Sequence, residues 1–296
     1  MAHDAAHRHF RRFSLRSVAR RISPAWGDSA VEIPFDPRLT LGPITTSWHA
    51  VLMLAGVVAA TAIAARAGLR EALLRGYGRR AMDIVWSVSL VGVAGGFVGS
   101  RVFFVVDHLS DFTSRPLEVF AIASGGASVV GGIVGGIVAG VSFLAIRRLP
   151  IAVGLDAAGL ALPVGMAIGR VGDLINGEHW SAACSGVPWC VRYTHPDSFG
   201  QHDFVHPTVG YELLLDVAIA MVGYASYLRA GRRIGSGRIM FMFLALYGSA
   251  RFFDTFFRID APVYGGLALA QWAALSFVLA GVGGLVRAAR RGPPLS

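Results

Sequence analysis

Seven long apolar runs, separated by short arginine-bearing segments, restrict this chain to one kind of fold. The runs lie near residues 47–65, 84–106, 127–146, 152–169, 207–227, 239–257 and 265–285. About 20 apolar residues in a helix cross the hydrocarbon layer of a membrane. No water reaches the backbone there, so each segment must satisfy its own amides, which a helix does. Composition agrees: the chain is 54% hydrophobic and 15% charged, whereas a soluble domain carries about 25% charged residues. The sequence therefore predicts an all-α polytopic membrane protein, with seven transmembrane helices and a small extracytoplasmic head between spans four and five. Residues 1–46 read as a basic N-terminal tail and lead-in. Residues 47–285 read as the membrane domain, with 170–206 as the head, and 286–296 as a cytoplasmic tail.

Orientation follows from the arginines, which supply all 27 basic residues. Arg66, Arg70, Arg75, Arg79 and Arg80 lie between spans one and two, and Arg147 and Arg148 follow span three. Arg229, Arg232, Arg233 and Arg238 lie between spans five and six, and Arg287, Arg290 and Arg291 follow span seven. These four regions share one side, and the positive-inside rule makes that side cytoplasmic. The N-terminus is then outside and the C-terminus inside. Seven arginines before the first span vote the other way. They include those of the segment His7 to Arg21, which has the pattern of a basic helix lying on a membrane. A tail of that kind constrains topology less than short loops between spans. The net charge of +9 suits anionic headgroups, and nothing points to nucleic acid.

Residues 107–126 read as an arm that partly re-enters the membrane. The expected head holds both cysteines, Cys184 and Cys190. In an oxidising compartment they are disulfide candidates, and two free thiols are the alternative. Two cysteines fall short of the four ligands of a structural zinc site, so no metal is expected. The glycine runs Gly95–Gly99 and Gly125–Gly136 lie in apolar spans without a following lysine. They read as helix-packing surfaces rather than nucleotide loops.

Charged residues at or inside a bilayer are costly and mark function. The densest group is IGRVGDLINGE, Ile168 to Glu178. Its glycines and the Asn176-Gly177 turn let backbone amides approach a ligand, and the Arg170 fork suits a phosphate. Arg251 lies inside span six with Asp254 three residues on, a spacing that pairs them on one helix face. Arg101 lies in span two with no partner nearby in sequence. His206, Tyr211 and Glu212 open span five in HPTVGYE and read as residues that orient the head. His49, one turn into span one, is either a packing residue or a general base.

Several stretches resemble the prolipoprotein diacylglyceryl transferases. GRVGDLINGE (Gly169 to Glu178) is similar to that family's GRxGNFxNGE. HPTVGYE is similar to HPSQLYE, and YGSARFFDTFFR (Tyr247 to Arg258) to YGxxRFxxExxR. GSRVFFV and GGASVVGG match in kind and order, and the resemblance spans about residues 40–285. It implies a bacterial inner-membrane enzyme with seven spans and an external head. Its reaction would move the diacylglyceryl group of phosphatidylglycerol to the lipobox cysteine thiol of a prolipoprotein signal peptide, releasing glycerol phosphate. No cofactor is implied, and the partners are the lipid substrate, the prolipoprotein and surrounding membrane lipids.

Combined with the residue reading, the resemblance places Arg251, His49 and Glu178 at the chemistry. It places Arg170, Asp173, Asn176, Gly177, Arg101 and Arg258 on the lipid. The chain departs from the pattern at four positions: Asp173 stands for an asparagine and His49 for a tyrosine, while Val130 stands for a histidine and Thr255 for a glutamate. These departures leave two other readings open. One is a lipid-binding relative without this activity or with another acceptor; the other is an anion transporter.

Overall fold

The computed structural model describes residues 31–42, 44–113, 115–120, 126–259 and 264–290. The basic segment His7 to Arg21 lies outside the described residues, as does Arg291. Among the described residues, seven helices are long and apolar enough to cross a membrane. They are α1 (Trp48–Leu74), α2 (Arg80–Asp107), α3 (Val129–Ile146), α4 (Ile151–Asn176), α5 (Thr208–Arg229), α6 (Arg238–Asp254) and α7 (Leu269–Arg290). A single 3-10 turn, Thr255–Phe257, continues α6. Leu54, Leu90, Leu214 and Leu279 are all largely exposed, a belt of aliphatic surface whose natural solvent is lipid.

Helices α1 and α4 run furthest past their apolar stretches. Helix α1 continues through Arg66 and Arg70 to Leu74, where Glu71 accepts from Arg75 one turn on at 2.9 Å. Helix α4 continues past the apolar run through Arg170 and Asp173. It stops where Gly177 takes a left-handed φ of 75° and its N–H reaches the Asp173 carbonyl. A helix ends where its backbone bonds end, and charges paired within the protein do not end it.

Helix α4 is the centre of the bundle and packs on α1, α5 and α6. The apolar core beside it joins Met240, Phe243 and Tyr247 of α6 to Ile219 of α5, Phe277 of α7 and Val130 and Ile133 of α3. Several helix pairs meet backbone to backbone through small residues, α4 with α6 at Gly159 among them. A Cβ on Gly56 of α1 would lie 2.4 Å from the Gly165 carbonyl oxygen of α4, and one on Gly99 of α2 would lie 2.3 Å from that of Gly131 on α3. One on Gly281 of α7 would lie 2.5 Å from the Ala245 nitrogen of α6. The glycine runs act here as close-packing surfaces.

Near the start of α4, Asp156 is fully buried. Its Oδ2 accepts from the amides of Gly235, Ser236 and Gly237 and its Oδ1 from those of Ile239 and Met240, at 2.8–3.3 Å. One carboxylate thus satisfies the N-terminus of α6 and the turn leading to it.

The lead-in, which reads as irregular in sequence, carries short strands. β1 (Val31–Ile33) pairs in parallel with β4 (Val191–Tyr193), and β2 (Arg38–Leu41) pairs with β3 (Ile44–Ser47) in an antiparallel hairpin. Pro34 and Pro37 fall between β1 and β2, where they break no ladder bond. Between α4 and α5 the chain wraps Val191, Tyr193 and Val205 around Ile33, with Leu174 packed against them. Cys184 and Cys190 are joined by a disulfide. After α2 the chain forms one helical turn, Leu109–Phe112, and a 3-10 segment, Pro116–Phe120.

Candidate active site

Arg170, Asp173 and Asn176 are three residues apart on the last turns of α4, so they share a face. That face meets α5, where Glu212 and Asp216 are one turn apart, and α6, which brings Arg251 and Asp254. The Arg170 side chain is only 5% exposed. Its Nη1 donates to Asp173 Oδ2 at 2.9 Å and lies 3.0 Å from Glu212 Oε2, while its Nε lies 3.9 Å from Asp216 Oδ2. Arg251 Nη1 donates to Glu212 Oε1, and Arg258 Nη1 approaches the same oxygen at 3.7 Å. Three guanidiniums from two stretches of chain therefore converge on one buried carboxylate.

Four carboxylates, Asp173, Glu212, Asp216 and Asp254, face the three arginines, and all four are buried. Isolated charges could not remain ionised in so dry a setting; mutual pairing makes the arrangement tolerable. The pairing is incomplete. Asp216 Oδ2, both Asp254 oxygens, Arg251 Nε and the Tyr247 hydroxyl are buried without a hydrogen bond among the described residues. Such groups hold a capacity that a polar ligand can fill.

Several sequence expectations need correction. Glu212 does not hold the connection between α4 and α5; it is the hub of the arginines. Tyr211 Oη accepts from Trp189 Nε1 in the α4–α5 connection at 2.9 Å and lies 3.2 Å from His206 Nδ1. Asp254 is only a distant partner of Arg251, at 3.9 Å. Arg101 is held by the connection after α2, donating to the carbonyls of Glu118, Val119 and Gly126 at 2.6–3.0 Å. Asn176 Nδ2 donates to Glu178 Oε1 at 3.1 Å, which leaves Asn176 Oδ1 buried without a hydrogen bond.

Asp216 and His179 are absent from the sequence reading, and Tyr247 enters it only as the first residue of YGSARFFDTFFR. Asp216 had a local signal, being a carboxylate inside an apolar span. His179 follows Glu178 with a left-handed φ of 70°, and its Nε2 lies 3.3 Å from Arg170 Nη1. A guanidinium only donates, so that nitrogen accepts and carries no proton. Burial pushes the His179 pKa below the ordinary histidine value, and Arg258 and Arg170 push the same way against Asp173.

His49 comes to this group from α1. Its Nδ1 lies 2.6 Å from Asp173 Oδ1. Gly172 permits the approach, since a Cβ there would sit 2.8 Å from the His49 Cα. Between α5 and α6 a groove of about 510 Å³ opens on the surface, walled by Leu215, Ile219, Val222, Leu246 and Phe253, with Asp254 on its lining. A small cavity lined by Glu212, Asp216, Tyr247 and Arg251 shares Leu215 and Ala250 with this groove. The apolar groove and the charged cluster thus lie beside each other, with Leu215 and Ala250 lining both.

The family model described as prolipoprotein diacylglyceryl transferase matches residues 38–287. The chain belongs to this family. A phosphatidylglycerol–prolipoprotein diacylglyceryl transferase of Verminephrobacter eiseniae is 32% identical over 276 residues, covering 89% of this chain and 96% of the relative. Proteins of the same name from Burkholderia lata and Nitrobacter hamburgensis are 31% and 30% identical. They cover 87% and 88% of this chain, and 96% and 90% of their own lengths.

Within the prolipoprotein diacylglyceryl transferase pattern, the four departures now have surroundings. His49 and Asp173 are each other's partners. Val130 is buried in the apolar core with Ile133, Ile219 and Phe243. Thr255 Oγ1 donates back to the Arg251 carbonyl at 2.7 Å, which leaves Asp254 as the acid of that turn.

Proposed function

We propose that this chain transfers the diacylglyceryl group of phosphatidylglycerol to the lipobox cysteine thiol of a prolipoprotein, releasing glycerol phosphate. It does so in the bacterial inner membrane, with the α4–α5 segment outside as an extracytoplasmic head and the arginine-rich loops and C-terminus in the cytoplasm. The observation that carries this reading is the convergence of Arg170, Arg251 and Arg258 on Glu212 beside an apolar groove. A phospholipid has those two halves: acyl chains for the groove and a phosphodiester for guanidiniums.

Attack of the acceptor sulfur on the glyceryl carbon breaks the bond from that carbon to the phosphate oxygen, so the phosphate leaves with an extra negative charge. Preorganised cations in a dry site stabilise that charge without reorganising. Glu212 holds the three guanidiniums in place before the lipid arrives, and the phosphodiester competes with it for their N–H groups. Asn176 Oδ1 and Glu178 offer acceptors to the glycerol hydroxyls of the headgroup. Membrane fractions given phosphatidylglycerol and a lipobox peptide should yield a thioether-linked diacylglyceryl peptide by mass spectrometry. Arg170→Ala should lower that yield by about 100-fold, the scale of losing one charge-stabilising donor.

Val130 motivates a second reading. An apolar side chain fills the position where the family pattern carries a histidine, so a lipid-binding relative with no transferase activity, or with another acceptor, would share this site. Retention of phosphatidylglycerol by the purified protein, with no thioether product, would select that reading.

A further inference from the structure

We infer that His49 and Asp173 form a proton-accepting dyad for the acceptor thiol, with His49 Nε2 as the base and Asp173 as its positioning residue. This rests on the transferase reading above. Asp173 divides its two oxygens between the two sides of the site. Oδ1 meets His49 Nδ1 at 2.6 Å and Oδ2 accepts from Arg170 at 2.9 Å. A carboxylate at Nδ1 fixes the tautomer with the proton on that nitrogen and leaves Nε2 with a free lone pair. His49 Nε2 has no partner among the described residues, and the side chain is 36% exposed beside a carboxylate that is 6% exposed. The imidazole is therefore open to a substrate while its orienting partner is closed to water. The charged groups facing it are Asp173 and Arg170 on α4 and Glu178 beyond the end of α4.

His179 also approaches Asp173, at 3.8 Å from Oδ2, beyond hydrogen-bond reach. Its Nε2 lone pair is already engaged by Arg170. Of the two imidazoles, His49 alone presents an uncommitted Nε2. The guanidinium bonded to the same carboxylate is one of those that would hold the departing phosphate, so activation of the thiol and release of the leaving group share Asp173.

The step balances without a further reagent. The S–H proton goes to His49 Nε2, and the sulfur forms a bond to the glyceryl carbon. The bond from that carbon to the phosphate oxygen breaks, and its electron pair leaves on that oxygen. The imidazolium then returns its proton to the phosphate. The geometry also explains two departures from the family pattern together: residues 124 apart in sequence are one hydrogen-bonded unit.

The test is the pH profile of transfer by His49→Gln, Asp173→Asn and His179→Gln proteins, each first shown to retain phosphatidylglycerol on purification. A general base contributes about 100-fold or more. A free thiol ionises by itself near pH 8.5. His49→Gln should therefore lose about 100-fold in kcat at pH 7, with little change in KM for the lipid, and recover to within about tenfold at pH 9.5. Asp173→Asn should lose about tenfold and recover likewise, a loss below the general-base range because the base itself remains. His179→Gln should show no such recovery. A His49→Gln deficit that is absent, or equal at both pH values, overturns the dyad while leaving the transferase reading intact. So does an Asp173→Asn protein faster than the unaltered one. If the unaltered protein makes no thioether product at either pH, the transferase reading fails and the dyad with it. Should His49→Gln fail to retain lipid, Asp173→Asn, which keeps the side chain's shape, decides the question alone.

Discussion

Gly172→Ala tests whether the close approach of α1 and α4 is what assembles the site. A Cβ at residue 172 would lie 2.8 Å from the His49 Cα and 3.2 Å from both the Leu52 Cβ and the Trp48 carbonyl oxygen. Carbon atoms sit comfortably about 3.5–4.0 Å apart, so the shortfall at His49 is about 1 Å. The obstructing atom is backbone and cannot rotate away, so the end of α1 must move. A displacement of about 1 Å would stretch the His49–Asp173 contact from 2.6 Å to roughly 3.5 Å, outside hydrogen-bond range. Overpacking of this kind costs about 1–3 kcal/mol, against about 1 kcal/mol gained by replacing a helical glycine with alanine. The net expectation is a loss of up to about 2 kcal/mol. Transfer should fall by about 100-fold, as for a 1 Å misplacement in an active site. The control is Gly140→Ala on α3, where an added Cβ meets nothing within 4 Å; it should be neutral or slightly stabilising. Thermal unfolding in detergent and the thioether assay measure both proteins. A Gly172→Ala protein matching the Gly140→Ala protein in stability and the unaltered protein in transfer rate would refute the reasoning.

Three further outcomes follow from other parts of the structure. Asp156→Ala deprives five amides of their acceptor and should cost several kcal/mol at roughly 1–3 kcal/mol per unsatisfied group; Asp156→Asn, which keeps one carbonyl oxygen, should fall between, and equal thermal stability of all three would contradict the assignment. Removing the Cys184–Cys190 link with a double serine variant should destabilise the segment by about 2 kcal/mol, the loop-closure value for so short a loop, seen as faster proteolysis between α4 and α5. His179 is held below its ordinary pKa of 6.5 in the folded protein, so the unfolded chain binds more protons near that pH. Its contribution to stability should be complete above about pH 6.5 and lost as pH falls through the lower folded value, and unfolding temperatures of His179→Gln should lack that component of the pH dependence.

The seven helices were legible because apolar runs of that length have one use. The site was legible in part. Arg170 and Arg251 stood out as charges in apolar surroundings, and the motif around Gly169 to Glu178 named its own family. The end of α4 was not legible, since a charge reads as a membrane boundary until its partners on other helices are known. Glu212 was misread for the same reason: its neighbours in HPTVGYE are local, but Arg170 and Arg251 reach it through tertiary packing. Nothing near His49 announces Asp173, nor anything near Val31 its pairing with Val191, because such contacts are set by how helices and loops dock rather than by any short-range pattern.

The glycine contacts join α1 to α4, α2 to α3, α4 to α6 and α6 to α7, where their backbones touch. No comparable glycine contact joins α5 to α6, and Gly223 on α5 has open space where a side chain would be. The seam that carries the groove is therefore held without a glycine-mediated backbone contact, and the Arg251–Glu212 pair is a charged link across it. A bulky two-tailed molecule entering there from the bilayer would part α5 from the α6–α7 couple by competing for the Arg251–Glu212 pair rather than by bending any helix.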